Sequence, residues 1–191
     1  AWECGDIGES TADFFYPISI TEIDQIAEKC NSIGIDGICS IGTDLGNITV
    51  SKVADKLGLC ANSVDCIDVS TNKHLMREAF FKNGDPSPKS YQVTDLTDID
   101  GLDLTYPIIV KPVDRSGSRC ITKLQSSEGL EDAVRAAINV SFSKACVVEE
   151  FFTGIEYSVE FISWKGEHHF LALTRKFTTG SPHFIETGHL Q

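Results

Sequence analysis

The chain has 191 residues, 41% of them apolar, enough to bury a sizeable core in one large or two small domains. Its 16 basic against 28 acidic residues give a formal charge of −12, the wrong sign for a surface that neutralises a nucleic-acid backbone or an anionic membrane. Any anionic ligand must be small and held locally.

The seven cysteines, Cys4, Cys30, Cys39, Cys60, Cys66, Cys120 and Cys146, are scattered, odd in number and free of C-x-x-C pairs. That spacing points to reduced thiols in a cytoplasmic protein, not to a zinc framework or a disulfide scaffold. No apolar run approaches the ~18 residues of a membrane span, and the N-terminus lacks a basic segment followed by an apolar stretch. The chain opens on Ala1 instead of methionine, so a processed or excised piece is expected.

The first third alternates strand and helix signals, the pattern of a parallel sheet with crossover helices. Thr21 stands where an N-cap would, Asp24 answers it, and Ile23, Ile26, Ala27 and Cys30 recur at helical spacing. The stretch from Gly34 to Gly42 reads as a short buried strand. Val50, Val53, Ala54 and Leu57 then form a helical stripe stopped by Gly58, and Leu59 opens another strand. The loop from Gly42 to Gly46 lies where open α/β sheets place ligands. With two glycines and no G-x-G-x-x-G, it reads better as a turn whose Thr43 and Asp44 cap a helix.

A third helix follows, capped by Ser70 or Thr71, with Leu75, Met76, Ala79 and Phe80 on its apolar face and Gly84 at its end; Pro86 and Pro88 prevent its resumption. Lys73 in its first turn opposes the helix dipole unless an anion lies nearby, although a first-turn lysine is ordinarily just solvated. Asp95, Asp98, Asp100 and Asp103, interleaved with threonines and with no histidine among them, read as a solvated connector in preference to a metal site.

From Tyr106 the pattern sharpens. Strand alternation puts Ile109 and Lys111 on one face and Ile108 and Val110 on the other. A lysine carried into an enclosed site needs a counter-charge, which is either a ligand phosphate or one of the many acidic side chains. Asp114 to Arg119 follows. There Gly117 permits close backbone approach, Ser116 and Ser118 supply donors, and Arg115 or Arg119 can fork onto oxygens. It lacks the P-loop pattern and runs back into a strand at Cys120 to Leu124, so it reads as a phosphate-covering hairpin loop.

A helix capped by Ser126 or Ser127 turns Leu130, Ala133, Val134, Ala137 and Ile138 inward, and Cys146 to Phe152 is a buried strand ending in Glu149 and Glu150. Adjacent strand residues face opposite ways, which argues against joint acid–base action by these two carboxylates and for hydrogen-bond acceptance. Tyr157 to Trp164 and Phe170 to Thr174 form a hairpin turning at Lys165–Gly166, with His168 and His169 facing solvent; Arg175 and Lys176 reach phosphate or flank a loop.

Assembled in order, these segments resemble the ATP-grasp superfamily, in particular the branch similar to the carbamoyl-phosphate synthase large subunit and the carboxylate–amine ligases. The resemblance rests on Thr71-Asn72-Lys73, Ile109-Val110-Lys111-Pro112, Asp114 to Arg119, and Val148-Glu149-Glu150-Phe151-Phe152-Thr153-Gly154-Ile155-Glu156. It implies an α/β chain in three parts: a Rossmann-like pre-ATP-grasp domain over residues 1–69, an α+β small nucleotide lobe over 70–148, and the start of the large lobe over 149–191. It further implies that Lys73 and Lys111 contact the phosphates of ATP and that Ser116, Gly117 and Ser118 cover them. Glu149 would meet the adenine amino group, the backbone at Phe152 the adenine edge, and Glu156 the ribose.

Two departures accompany the resemblance. The chain starts at what looks like the second strand of the preceding domain, and the residues that hold magnesium in such ligases are expected beyond Gln191, with Glu186, Gly188 and His189 as the start of a substrate-side loop. The expectation is therefore a cytoplasmic ATP- and magnesium-dependent ligase that activates a small carboxylate for attack by an amine. It is represented here by a piece that binds nucleotide weakly and does not turn over. The rival readings are a nucleotide-binding regulatory module, and an anion binder using only Arg115 to Arg119.

Overall fold

A computed structural model describes residues 7–191; Cys4 and the other opening residues lie outside the described residues. The chain divides into two compact units, one ending at Met76 and the other spanning Arg77–Gln191.

The first unit is helical as far as it is described. It holds α1 (Ile7–Thr11), α2 (Ile23–Ile33), α3 (Asp44–Leu57) and α4 (Val64–Thr71), and α5 (Lys73–Asn83) begins in it. α3 packs against α2 and α4, burying Ala27, Val53, Ala54 and Ile67. Thr49 on α3 donates its hydroxyl to the Ile20 and Leu45 carbonyls, so a buried threonine is satisfied without water. Lys56 and Asp24 tie α3 to α2 at 2.7 Å.

The helix ends correct several expected caps. Glu22, not Thr21, is the N-cap of α2. Thr43 does cap α3, though without a side-chain hydrogen bond, and Gly58 closes it in the left-handed region at φ 65°. α4 is absent from the sequence reading; Ser63 caps it by accepting from the Cys66 amide. Ser70 and Thr71 belong to its last turn, where both hydroxyls donate to the Ile67 carbonyl. The N-cap of α5 is Asn72, whose side-chain oxygen accepts from His74 and Leu75. Gly84 ends α5 as expected, at φ 74°.

The strands expected at Gly34 to Gly42 and at Leu59 do not form; no strand occurs in residues 7–76. A strand needs a ladder partner to satisfy its backbone groups, and none is described here. Ile41 is 94% exposed, so the segment does not thread a core.

The second unit contains two sheets. β1 (Ser90–Val93), β2 (Ile108–Pro112), β3 (Thr122–Leu124) and β4 (Cys146–Glu150) form an antiparallel sheet in the order β1-β4-β2-β3. α6 (Leu130–Val140) covers one face: Leu130, Ala133, Val134 and Ala137 pack on Val93, Ile108, Val110, Cys146 and Val148. Burying each of the Leu, Ile and Val side chains among them contributes ~1.5–3 kcal/mol, so this layer is the principal core. Its N-cap is Gly129 at φ 77° and not Ser126 or Ser127, because the chain enters the helix through the left-handed region that glycine tolerates.

The acidic segment is more ordered than a solvated connector. Asp95 and Asp98 make a reciprocal capping box around a 3-10 turn at Leu96–Ile99, and Leu96, Ile99, Leu102 and Leu104 pack against the core.

The second sheet comprises β5 (Tyr157–Trp164), β6 (Glu167–Thr178) and β7 (Glu186–Leu190) in that order, all antiparallel. Its hairpin turns at Lys165–Gly166, where both residues have positive φ. β6 is longer at both ends than expected. The stretch containing Glu186, Gly188 and His189 is the ladder strand β7, not a loop.

Candidate functional site

The face of the four-stranded sheet opposite α6 carries the site. In the β2–β4 ladder Ile109 pairs with Glu149 and Lys111 with Val147, and Glu149 also pairs with Ser90 on β1. Directly paired residues share a face. The expected alternation therefore holds, with Ile108 and Val110 buried under α6 and Ile109 and Lys111 turned the other way. These residues floor a cleft of about 810 Å³. Its walls are Arg77, Phe151 to Glu156, Arg175 to Thr178 and Phe184.

At the floor sits a buried charge cluster. Glu149 has a side chain 1% exposed. Its Oε2 lies 2.6 Å from Lys111 Nζ, and its Oε1 accepts from Arg77 Nε at 2.8 Å and from Ser90 Oγ at 3.2 Å. Burial pushes the Glu149 carboxyl up, but the Arg77 hydrogen bond and the Lys111 charge outweigh burial and hold it below the ordinary carboxylate range. It is an ionised carboxylate bracketed by two cations. The two counter-charges open to Lys111 in the sequence are thus not exclusive, since it has an acidic partner and lines the cleft at once.

Glu150, the last residue of β4, also borders the cleft, and its carboxylate accepts from the Lys89 amide at 3.1 Å. The segment after β4 leaves the ladder: Phe152 is 66% exposed along the cleft wall. Glu156 stands 3.1 Å from Lys176 Nζ, which also meets Glu186 at 2.7 Å. The Glu186 hydrogen bond and Glu156 hold the Lys176 ammonium above its usual range. Lys176 thus lines the cleft while paired with two carboxylates.

The loop between β2 and β3 is anchored at its root. Asp114 accepts from the Phe142 and Ser143 amides and from the Ser143 hydroxyl. Arg115 donates to the Val140 carbonyl at 2.5 Å and stacks 3.6 Å from the Phe142 ring centroid, so it is engaged with the end of α6. Gly117 and Ser118 follow one another at φ 69° and 54°. Ser116 and Gly117 are exposed and not on the cleft wall. Ser118 donates to the Phe184 carbonyl at 2.8 Å, and Phe184 in turn lines the cleft and contacts the Phe151 ring. The loop is therefore joined to the cleft rim through Ser118.

Of the residues selected from sequence, Lys111, Glu149, Phe152 and Glu156 line one cleft, and Ser118 reaches its rim. Lys73 opens α5 in the first unit, four residues before Arg77. Sequence reasoning missed Arg77, Ser90 and Phe184. For Arg77 a signal was present: one helical turn after Lys73 it shares that lysine's side of α5.

The ATP-grasp domain family matches residues 70–190. The chain belongs to the ATP-grasp family. It is 28% identical to the alanine–anticapsin ligase of Bacillus subtilis strain 168, over 97% of this chain and 46% of that protein. It is 24% identical to the carbamoyl phosphate synthase large chain of Thermoanaerobacter sp. strain X514, over 78% of this chain and 14% of that protein. Among solved structures, the L-amino acid ligase of Bacillus licheniformis superposes with a TM-score of 0.75 at 24% identity, covering 89% of this chain and 41% of that one. An ADP complex of the purK N5-carboxyaminoimidazole ribonucleotide synthetase gives 0.71 at 18% identity, covering 89% and 45%. The fold is accordingly the α/β fold of ATP-grasp ligases. The chain spans less than half the length of each of these relatives. No helix among the described residues is long and apolar enough to cross a membrane.

Proposed function

We propose that these residues form the nucleotide site of an ATP-dependent carbon–nitrogen ligase. In the whole protein, the γ-phosphoryl group of ATP passes to a carboxylate oxygen with release of ADP. An amine then attacks the acyl phosphate and displaces phosphate. The observation that carries this reading is one continuous cleft that holds both Lys111, a phosphate partner, and the Phe152 to Glu156 segment, suited to adenine and ribose. The relatives' names, an alanine–anticapsin ligase and an L-amino acid ligase, support an amino acid as the carboxylate.

In this reading Lys111, joined by Lys73 from the start of α5, grips the phosphates. The Ser116 to Ser118 loop covers them, the Phe152 backbone and Glu149 meet adenine, and Glu156 takes the ribose hydroxyls. Rate enhancement comes from positioning and from cations facing developing charge, not from a protein nucleophile. Residues 1–69 act as the preceding domain, 70–148 as the small nucleotide lobe and 149–191 as the beginning of the large lobe, with the first boundary supported by the start of the family match. The protein works in the cytoplasm.

ATP fits the cleft in size and in donor chemistry. Magnesium, which the family implies, does not find its ligands here, because among the described residues no three His, Cys, Asp or Glu side chains converge. No described residue is therefore assigned to magnesium, and the role proposed for these residues is nucleotide binding without turnover. The second reading is a nucleotide-binding regulatory module, which would use the same cleft.

Calorimetry with ATP, adenosine and inorganic triphosphate tests the binding role. ATP is expected to bind more tightly than either half; equal affinity for triphosphate would replace the nucleotide site by a plain anion site. A coupled ADP-release assay with magnesium and amino-acid pairs is expected to show no turnover, and appreciable turnover would refute the inactivity of these residues.

A further inference from the structure

We infer that Arg77 is the residue that gives the Lys111–Glu149 cluster on the cleft floor its net positive charge, and that it acts through Glu149 as a positioning residue for Lys111. The inference rests on the nucleotide reading above. Lys111 has a carboxylate oxygen 2.6 Å from its ammonium. At that range a fully buried carboxylate cancels most of the field a lone lysine would present to an incoming polyphosphate.

Lys111 paired with Glu149 alone would be an orienting device with no charge left over. Arg77, on the other carboxylate oxygen at 2.8 Å, changes the sum: two cations against one anion leave a net charge of +1 facing the cleft. The guanidinium is suited to this because its planar fork matches a carboxylate. It is also on the cleft wall itself, with a side chain 24% exposed.

The division of labour follows from geometry. Glu149 is held from two sides and capped by Ser90 Oγ at 3.2 Å, so its carboxylate is fixed. Lys111 retains two further N–H donors for phosphate oxygens while it is aimed by Glu149. Arg77 keeps that aim from costing the site its attraction for anions.

The test is calorimetric titration of the 191-residue chain with ATP and with adenosine, for the unaltered protein, Arg77→Met, Arg77→Lys and the double variant Arg77→Met/Glu149→Gln. The readout is the ratio of ATP to adenosine affinity, which cancels effects on adenine. Arg77→Met is expected to lower the ratio on the order of tenfold, a modest share of a single charge term at an effective dielectric near 20. Arg77→Lys should keep most of it. The double variant, whose cluster again carries a net +1 from Lys111, should recover it.

A merely structural arginine would lower the melting temperature of Arg77→Met and weaken ATP and adenosine alike, with no recovery in the double variant; that pattern overturns the inference. An unchanged ratio in a folded Arg77→Met does the same while leaving the nucleotide site standing. Should Arg77→Met not fold, Arg77→Lys and the double variant decide: loss of the ratio in both refutes the charge argument. If the unaltered chain binds neither ATP nor adenosine, the nucleotide reading itself falls and takes the inference with it.

Discussion

Lys111 Nζ and Glu149 Oε2 meet at 2.6 Å across the ladder of β2 and β4, both side chains lying on the face of the sheet that α6 leaves uncovered. This pair makes the floor of the cleft polar while the opposite face of the same two strands is the apolar core. Replacing Glu149 by alanine leaves Arg77 and Lys111 facing each other without an anion. Removing one partner of a buried ion pair costs about 3–5 kcal/mol, so Glu149→Ala should lower the urea midpoint sharply at an unchanged m-value. A loss under about 1 kcal/mol would mean that water screens the site far more than its burial implies.

The same carboxylate sets an acid limit. Its folded pKa lies below the ordinary value, so the stability it adds is complete above the unfolded value of about 4.3. That stability drains away as pH falls through that value toward the lower folded one. Urea midpoints recorded from pH 7 down to pH 3 should fall steeply below about pH 5, and the Glu149→Gln variant should show a shallower decline. Parallel pH profiles for the two proteins would remove Glu149 from the account.

Much of the second unit was legible in the sequence, and for a physical reason. Where apolar alternation and helical spacing are strong, as in Ile108 to Pro112, Cys146 to Glu150 and Leu130 to Val140, burial decides the element, and burial is written in the sequence. The failures lie where context decides. Ser90 to Val93 is a strand because β4 offers it a ladder, and Glu186 to Leu190 because β6 does. Gly34 to Gly42 has strand composition but no described partner, and forms no regular element. In the site, Lys111, Glu149 and Glu156 could be selected by residue type and order. Arg77 had only its place one helical turn after Lys73 as a signal, and its pairing could not be read, because the carboxylate it meets lies 72 positions away in the chain.

Glu156 and Lys176, 3.1 Å apart, make a second testable pair. If Glu156 takes the ribose hydroxyls, Glu156→Ala should weaken ATP and adenosine together by ~1–3 kcal/mol and leave triphosphate affinity unaltered or improved, since Lys176 keeps Glu186 and the cleft loses a negative charge. Being half-exposed, the pair should matter little to folding, with less than about 1 kcal/mol lost in urea. A calorimetric series in which triphosphate binding falls as far as adenosine binding would show that Glu156 organises the whole cleft instead of one end.

Ser118 joins the glycine-containing loop to the cleft rim through one hydrogen bond to the Phe184 carbonyl. Gly117 and Ser118 both occupy the left-handed region, which for a non-glycine residue costs about 1–2 kcal/mol. A single hydrogen bond returns about 0.5–1.5 kcal/mol, so the tether roughly balances the strain at Ser118. Ser118→Ala keeps the strain and loses the bond, so the loop should detach. Amide hydrogen exchange over residues 115–120 should then accelerate severalfold, with the β2 and β4 amides unaffected, because Asp114 still anchors the root through Phe142 and Ser143. Ser118→Gly removes bond and strain together and should exchange at a rate between the two. Equal protection in all three proteins would show that the Asp114 anchor alone holds the loop.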